Sequence, residues 1–228
     1  MEAVDDVSNT VLHELARSGP NEAISALLEQ PTRIALRKNE LGQTALDMAK
    51  AHGNDGAALM LKKHSGHGEA PKLPDGQWHL FLSHYQANAG ETCASLKANM
   101  ELALPGLKVW FDQDETPTEE GMVAGVTNSV CFVLFITKEY FTRPFCRLEL
   151  KTALELDKPV VLVWQQDERF GGVASFGDVI AEAKEHAGDL LQQRYIFDAP
   201  AVPYAREKEM MKVTMTKVFR QAKLLKEE

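Results

Sequence analysis

Val130-Cys131-Phe132-Val133-Leu134-Phe135-Ile136-Thr137-Lys138-Glu139-Tyr140-Phe141-Thr142-Arg143-Pro144-Phe145-Cys146-Arg147-Leu148-Glu149-Leu150 is the stretch whose reading decides the fold. Its first seven residues are continuously apolar and rich in branched and aromatic side chains, the composition of a strand covered on both faces of a parallel sheet. The rest leaves that strand through a polar turn and enters a helix over about 147–156. In open α/β sheets, ligands collect beyond the carboxyl ends of the strands, where loops and helix starts offer donors that a buried strand lacks. Glu149 follows such an end closely and is the first candidate for chemistry.

Steps of roughly 100° per residue put Cys146, Leu150, Ala153 and Leu154 on one stripe of this helix, with Glu149 at its border. Phe145 stands four residues earlier on the same side, so ring and carboxylate can form two walls of one small cavity. A pair of that kind suits a flat ring or a developing cation. The alternative at this level is a solvated carboxylate near Arg147 and Lys151, with Phe145 in the core.

From Trp78 onward, strands alternate with helices. The pattern predicts strands over 78–83, 107–112, 130–136, 158–164 and 194–197, and helices over 88–104, 122–129, 147–156 and 179–186. A closing amphipathic helix within 204–225 carries Met211, Val213, Met215 and Val218. Alternation of this kind builds a right-handed, doubly wound parallel sheet with helices on both faces. The predicted layout is therefore a helical segment over 1–64, a Gly/Pro-rich linker over 65–76 and an α/β domain over 77–228.

The first segment contains a repeat. Thr10-Val11-Leu12-His13-Glu14-Leu15-Ala16-Arg17-Ser18-Gly19 is echoed by Thr44-Ala45-Leu46-Asp47-Met48-Ala49-Lys50-Ala51-His52-Gly53, at an offset of 44 − 10 = 34 residues. A second apolar helix follows each copy, over 24–28 and 57–61. This resembles ankyrin repeats, which implies an all-α, protein-binding segment. One helix pair cannot bury its own apolar face, so stacked copies share a core, and two copies are fewer than usually stand alone. The segment is thus expected to lean on the rest of the chain or on a protein partner. A plain helical hairpin extension is the other reading.

The chain has 228 residues, 44% of them hydrophobic, and a formal net charge of −8. An acidic balance argues against a nucleic-acid partner, because phosphate binding draws on concentrated positive surface. Cys93, Cys131 and Cys146 show no paired metal-ligand spacing and read as reduced core thiols, which points to the cytoplasm. No run is apolar for long enough to span a bilayer, so no membrane association is expected. His64 and His67 have a metal-like spacing, but in a flexible polar tract without further ligands they predict no metal site.

Three blocks in order identify the second domain's relatives. They are Phe81-Leu82-Ser83-His84-Tyr85; Gly106-Leu107-Lys108-Val109-Trp110-Phe111-Asp112 with Gly121-Met122-Val123; and Ser129 followed by Tyr140-Phe141-Thr142-Arg143-Pro144-Phe145-Cys146-Arg147-Leu148-Glu149-Leu150. Together they resemble a Toll/interleukin-1 receptor (TIR) domain, a flavodoxin-like module with a five-stranded parallel sheet. Two departures stand out: Phe145 replaces the usual indole, and the loop over 113–120 is acidic through Asp114, Glu115, Glu119 and Glu120. The first bears on substrate stacking and the second on loop-mediated self-association.

In the enzymatic branch of this family, the resemblance implies cleavage of the nicotinamide glycosidic bond of NAD+, with Glu149 catalytic and NAD+ as substrate in the absence of any cofactor. Nicotinamide leaves from a cationic state and needs no acid, while the ribose carbon gains oxocarbenium character that a carboxylate stabilises. Ser83, His84, Tyr85, Phe111 and Asp112 are expected to line the same cleft with Phe145. Arg143, Arg147 or the ribose hydroxyls are expected to keep Glu149 ionised. His84 as a plain loop histidine and Asp112 as a turn acceptor are the structural alternatives. The implied partners are NAD+, further TIR domains and a protein bound by the repeats. A non-enzymatic adaptor is the rival function. A receiver domain is disfavoured because the first strand ends in Ser83-His84 instead of paired aspartates, whereas a nucleoside deoxyribosyltransferase stays open on topology.

Overall fold

The computed structural model describes residues 9–28, 37–65, 69–112 and 118–225. The chain divides into two compact units. One comprises the residues up to Glu69 together with Leu102–Pro105, and the other comprises Ala70–Glu101 and Gly106–Glu228.

Among its described residues the first unit holds four helices, α1 (Val11–Ser18), α2 (Asn21–Leu28), α3 (Ala45–Ala51) and α4 (Asp55–Ser65). The sequence repeat appears as two helix pairs, α1 with α2 and α3 with α4, around a core of Leu12, Ala16, Ile24, Ala45, Met48, Ala49, Ala57 and Leu61. Thr10 and Thr44 occupy matching positions before the first helix of each pair. Thr44 Oγ1 accepts from the Asp47 amide at 3.2 Å while Asp47 Oδ2 accepts from the Thr44 amide at 2.9 Å, so two orphan donors are satisfied reciprocally. In the first copy His13 takes the place of Asp47. Its Nδ1 accepts from the Thr10 amide at 3.1 Å, which leaves Nε2 to donate to the Gln43 carbonyl at 2.9 Å and tie one copy to the other.

The second unit is a parallel sheet in the order β2-β1-β3-β4-β5. Its elements run β1 (Trp78–His84), α5 (Gln86–Ala103), β2 (Val109–Trp110), α6 (Glu119–Thr127), β3 (Ser129–Ile136), α7 (Pro144–Glu155), β4 (Val160–Trp164), α8 (Phe176–Gln193), β5 (Val202–Pro203) and α9 (Lys208–Gln221). The α/β, flavodoxin-like class expected from the sequence is what is found. β3 is buried along nearly its whole length, as its unbroken apolar run requires. Alternation sends Phe81, Phe132, Leu134, Ile136 and Leu162 to one face, where they pack with Leu150 and Ala153 of α7 and Val179 and Ala183 of α8.

Several predicted boundaries shift for local reasons. α7 starts at Pro144, earlier than 147, because proline has no amide to lose at a helix start and its φ is already helical. α6 starts at Glu119 because the Thr118 hydroxyl accepts from the Gly121 amide at 3.0 Å. α8 extends far beyond 179–186 by continuing through a kink at Ala187. The last strand is Val202–Pro203, and 194–197 is not a strand. Ile196 and Phe197 are apolar because they pack into the core on the α8 side, and Arg194 is tied to the Lys158 carbonyl at 2.9 Å. The true β5 was masked by its proline, which an edge strand tolerates. Among the described residues, no helix is long and apolar enough to cross a membrane.

Gly125 lies on α6 against the Trp110 indole, which stacks on Phe81 at 4.3 Å. A Cβ at this position would approach the indole to 2.5 Å, whereas at Gly188 on α8 it would meet nothing within 4 Å. Gly125→Ala is expected to destabilise the domain by about 1–3 kcal/mol through overpacking. Gly188→Ala should stabilise it by up to about 1 kcal/mol through the better helix former. Urea unfolding of the two variants beside the parent checks both signs.

Candidate functional site

Parallel order reverses at β1, whose neighbours β2 and β3 are fed from helices on opposite faces. In open parallel sheets ligands bind at such a reversal, which here lies at the carboxyl ends of β1 and β3. Ser83 lies two residues past Phe81 and so faces α7, while His84 points to the other side. The helix border position of Glu149 brings its carboxylate to the Ser83 hydroxyl, which donates to Oε2 at 2.5 Å.

Glu149 is not a solvated helix carboxylate. Only 5% of it is exposed, and among the described residues no hydrogen bond reaches Oε1. Burial is the main reason its carboxyl is pushed up to about 8; the Ser83 hydroxyl opposes the shift, and the negative charge of Asp112 adds to it. The expected arginine support is missing. Arg143 pairs with the Glu139 carboxylate and lies 4.1 Å over the Tyr85 ring, while Arg147 points to Asp189 at 3.6 Å. Both side chains are therefore paired with other carboxylates.

The other expected residues divide into two groups. Phe111 and His84 stack at 4.9 Å, and His84 Nε2 donates to Gln86 Oε1 at 2.8 Å and lies 3.7 Å from Asp112 Oδ1. His84 is therefore a buried, fully packed ring, not a free loop histidine. Asp112 Oδ1 is buried and takes no hydrogen bond among the described residues, so a charged group stands at the end of β2 with unused acceptor capacity. Ser83, Glu149 and Asp112 thus share one electrostatic neighbourhood. Tyr85 packs at the edge of the core under the Arg143 guanidinium, and Phe145 is 47% exposed, so its ring is not in the core. Asp114 and Glu115 of the acidic loop fall outside the described residues, whereas Glu119 and Glu120 form the exposed first turn of α6.

One residue escaped the sequence reading. Tyr140, fully buried in the turn Tyr140–Thr142, places its hydroxyl 2.5 Å from Ser83 Oγ. A tyrosine set between an apolar strand and a helix was the available signal, because a buried phenol needs a partner and Ser83 is the nearby polar side chain on that sheet face. The turn is itself held by Glu182 of α8, which accepts from the amides of Glu139 at 3.1 Å and Phe141 at 3.2 Å. Among the described residues, no group of three or more His, Cys, Asp or Glu side chains could hold a metal ion.

The TIR domain family model matches residues 80–184, which include most of β1, the Ser83–Glu149 contact and the Tyr140 turn. Over these residues, somewhat less than half of the chain, the sequence is similar to a TIR domain. Among solved structures, the TIR domains in the activated Roq1 resistosome directly recognising the pathogen effector XopQ are similar at 16% sequence identity and a TM-score of 0.43. That likeness spans 63% of this chain and 98% of that one. No curated protein matches in sequence.

The pKa of Glu149 ties the stability of the α/β unit to pH. Its folded-state value of about 8 lies above the ordinary value of 4.5, so its contribution is complete in acid and is lost as pH rises through about 8. Between about pH 5 and pH 9 the parent should lose roughly 3–5 kcal/mol more stability than Glu149→Gln, which carries no titrating proton. Urea unfolding at the two pH values measures the difference; parallel losses would mean that the carboxyl titrates normally.

Proposed function

We propose that this TIR domain protein cleaves the nicotinamide glycosidic bond of NAD+, with Glu149 as the catalytic carboxylate, in intracellular signalling or defence. The observation that supports this reading is an acid sequestered at the switch point of a parallel sheet, with one hydroxyl partner and no basic one among the described residues. A surface acid has no such surroundings, and a recruitment surface has no use for a buried one.

The chemistry requires little from the protein. The bond between the ribose carbon and the ring nitrogen breaks heterolytically, its electron pair goes to the nitrogen, and nicotinamide leaves neutral. The positive charge left on the ribosyl carbon is captured by water, which then gives up a proton, or by the adenine of the same nucleotide. Ionised Glu149 stabilises the intervening cation. Burial makes that ionisation costly in the free protein, while the cationic nicotinamide ring of an arriving NAD+ favours it. The interaction therefore strengthens as charge develops, which is the condition for lowering a barrier instead of merely binding substrate.

Asp112, Ser83 and the Phe111–His84 stack are assigned to the cleft floor, with Tyr85 and Phe145 at its mouth. Self-association through the TIR domain and protein binding by the ankyrin-like helix pairs belong to the same proposal. The repeated Thr-capped helix pairs support the ankyrin-like reading.

Purified protein incubated with NAD+ should release nicotinamide, and Glu149→Gln should reduce the rate at least about 100-fold with folding intact. The ratio kcat/KM should rise with pH toward an inflection near the free-protein value of about 8. No release at any pH would leave a recruitment module, and release from nucleosides but not NAD+ would indicate a deoxyribosyltransferase. Turnover per molecule should also climb with protein concentration; a flat response across a wide dilution series would remove self-association from the account.

A further inference from the structure

The route by which Glu149 is held does not end at Ser83. A serine hydroxyl has one proton. When that proton is given to ionised Glu149, the Ser83 oxygen has only acceptor capacity left, and the neighbour at 2.5 Å is the Tyr140 hydroxyl. Tyr140 must then be the donor, so the ionised state has a single hydrogen-bond direction, from phenol to serine to carboxylate. All three side chains are buried, and the two contacts span three separate elements: β1, α7 and the turn between β3 and α7. We propose that Tyr140 is a positioning residue for Glu149, acting through Ser83 to hold the carboxylate by Oε2 and keep Oε1 free for the ribose.

The inference rests on the reading of Glu149 as the reacting carboxylate, but its physical content is the linkage itself. Removing the phenol proton weakens a bond to a hydroxyl that bears on an anion. Charge-assisted chains are stronger than neutral ones, so the ionised state loses more than the protonated one. The groups facing this chain are few. Cys146 of α7 and Cys93 of α5 lie near the phenol as buried thiols, and Asp112 at the end of β2 repels the carboxylate, with His84 beside it. Among these, Tyr140 and Ser83 are the two that donate along the chain to the carboxylate. Glu182 secures the phenol from the far side by capping the turn that carries it.

Tyr140→Phe keeps the ring in the core and removes only the hydroxyl, and the full chain is the protein to use. At saturating NAD+, kcat for nicotinamide release should fall about 5- to 20-fold with KM changed less than about 2-fold, and the acidic limb should move to higher pH by roughly half a unit or more. Ser83→Ala should show the same displacement more strongly. A lower kcat with an unmoved pH profile would mean a purely structural tyrosine and overturn the proposal, as would unchanged kinetics. If the parent releases no nicotinamide, the linkage is read without turnover, from carbon-13 NMR titration of the labelled Glu149 carboxyl in parent and Tyr140→Phe. A higher midpoint in the variant supports the linkage while the NAD+ reading fails; coincident midpoints overturn the linkage.

Discussion

A carboxylate withdrawn from water is either neutral or held by donors, and among the described residues Glu149 has one donor, the Ser83 hydroxyl. The rest of the domain arranges this single contact. The unbroken apolar run of β3 forces the sheet to be covered on both faces, and the cover on one face includes α7. The period of β1 aims Ser83 at that cover, and the helical period of α7 turns Glu149 toward Ser83. Reversal of strand order at β1 puts their meeting point where open parallel sheets take ligands.

Electrostatics gives the contact its character. Asp112 lies close enough to add repulsion and brings no compensating cation, while Arg143 and Arg147 are spent on outward-facing carboxylates. A fold selecting only for stability would gain from replacing a carboxyl in this position with an apolar side chain. The cost of keeping it is intelligible if the anion is called on when a cation arrives, the condition that cleavage of a positively charged glycoside imposes. The same logic explains why the two polar neighbours are hydroxyls. They satisfy an acid in either protonation state, whereas an arginine would commit it to one.

Much of this was legible in the chain. The α/β class, the positions of β1, β3, β4 and α7, and Glu149 as the residue of interest follow from apolar runs and from helical spacing around Leu150 and Ala153. Failures occurred where a residue's reason lies in tertiary contacts. The 194–197 segment reads as a strand because its apolar residues face a helix layer, and β5 was hidden behind Pro203. Tyr140 was missed because 57 residues separate it from Ser83 and only the fold joins them.

The protonation state of Glu149 is the central claim, and infrared difference spectroscopy of the parent against Glu149→Gln tests it most directly. At about pH 6.5 the account predicts the carbonyl band of a protonated, singly hydrogen-bonded carboxylic acid, giving way to carboxylate bands as pH passes about 8. A difference spectrum that shows only carboxylate at about pH 6.5 would contradict it, since the carboxyl would then be an ordinary solvated acid.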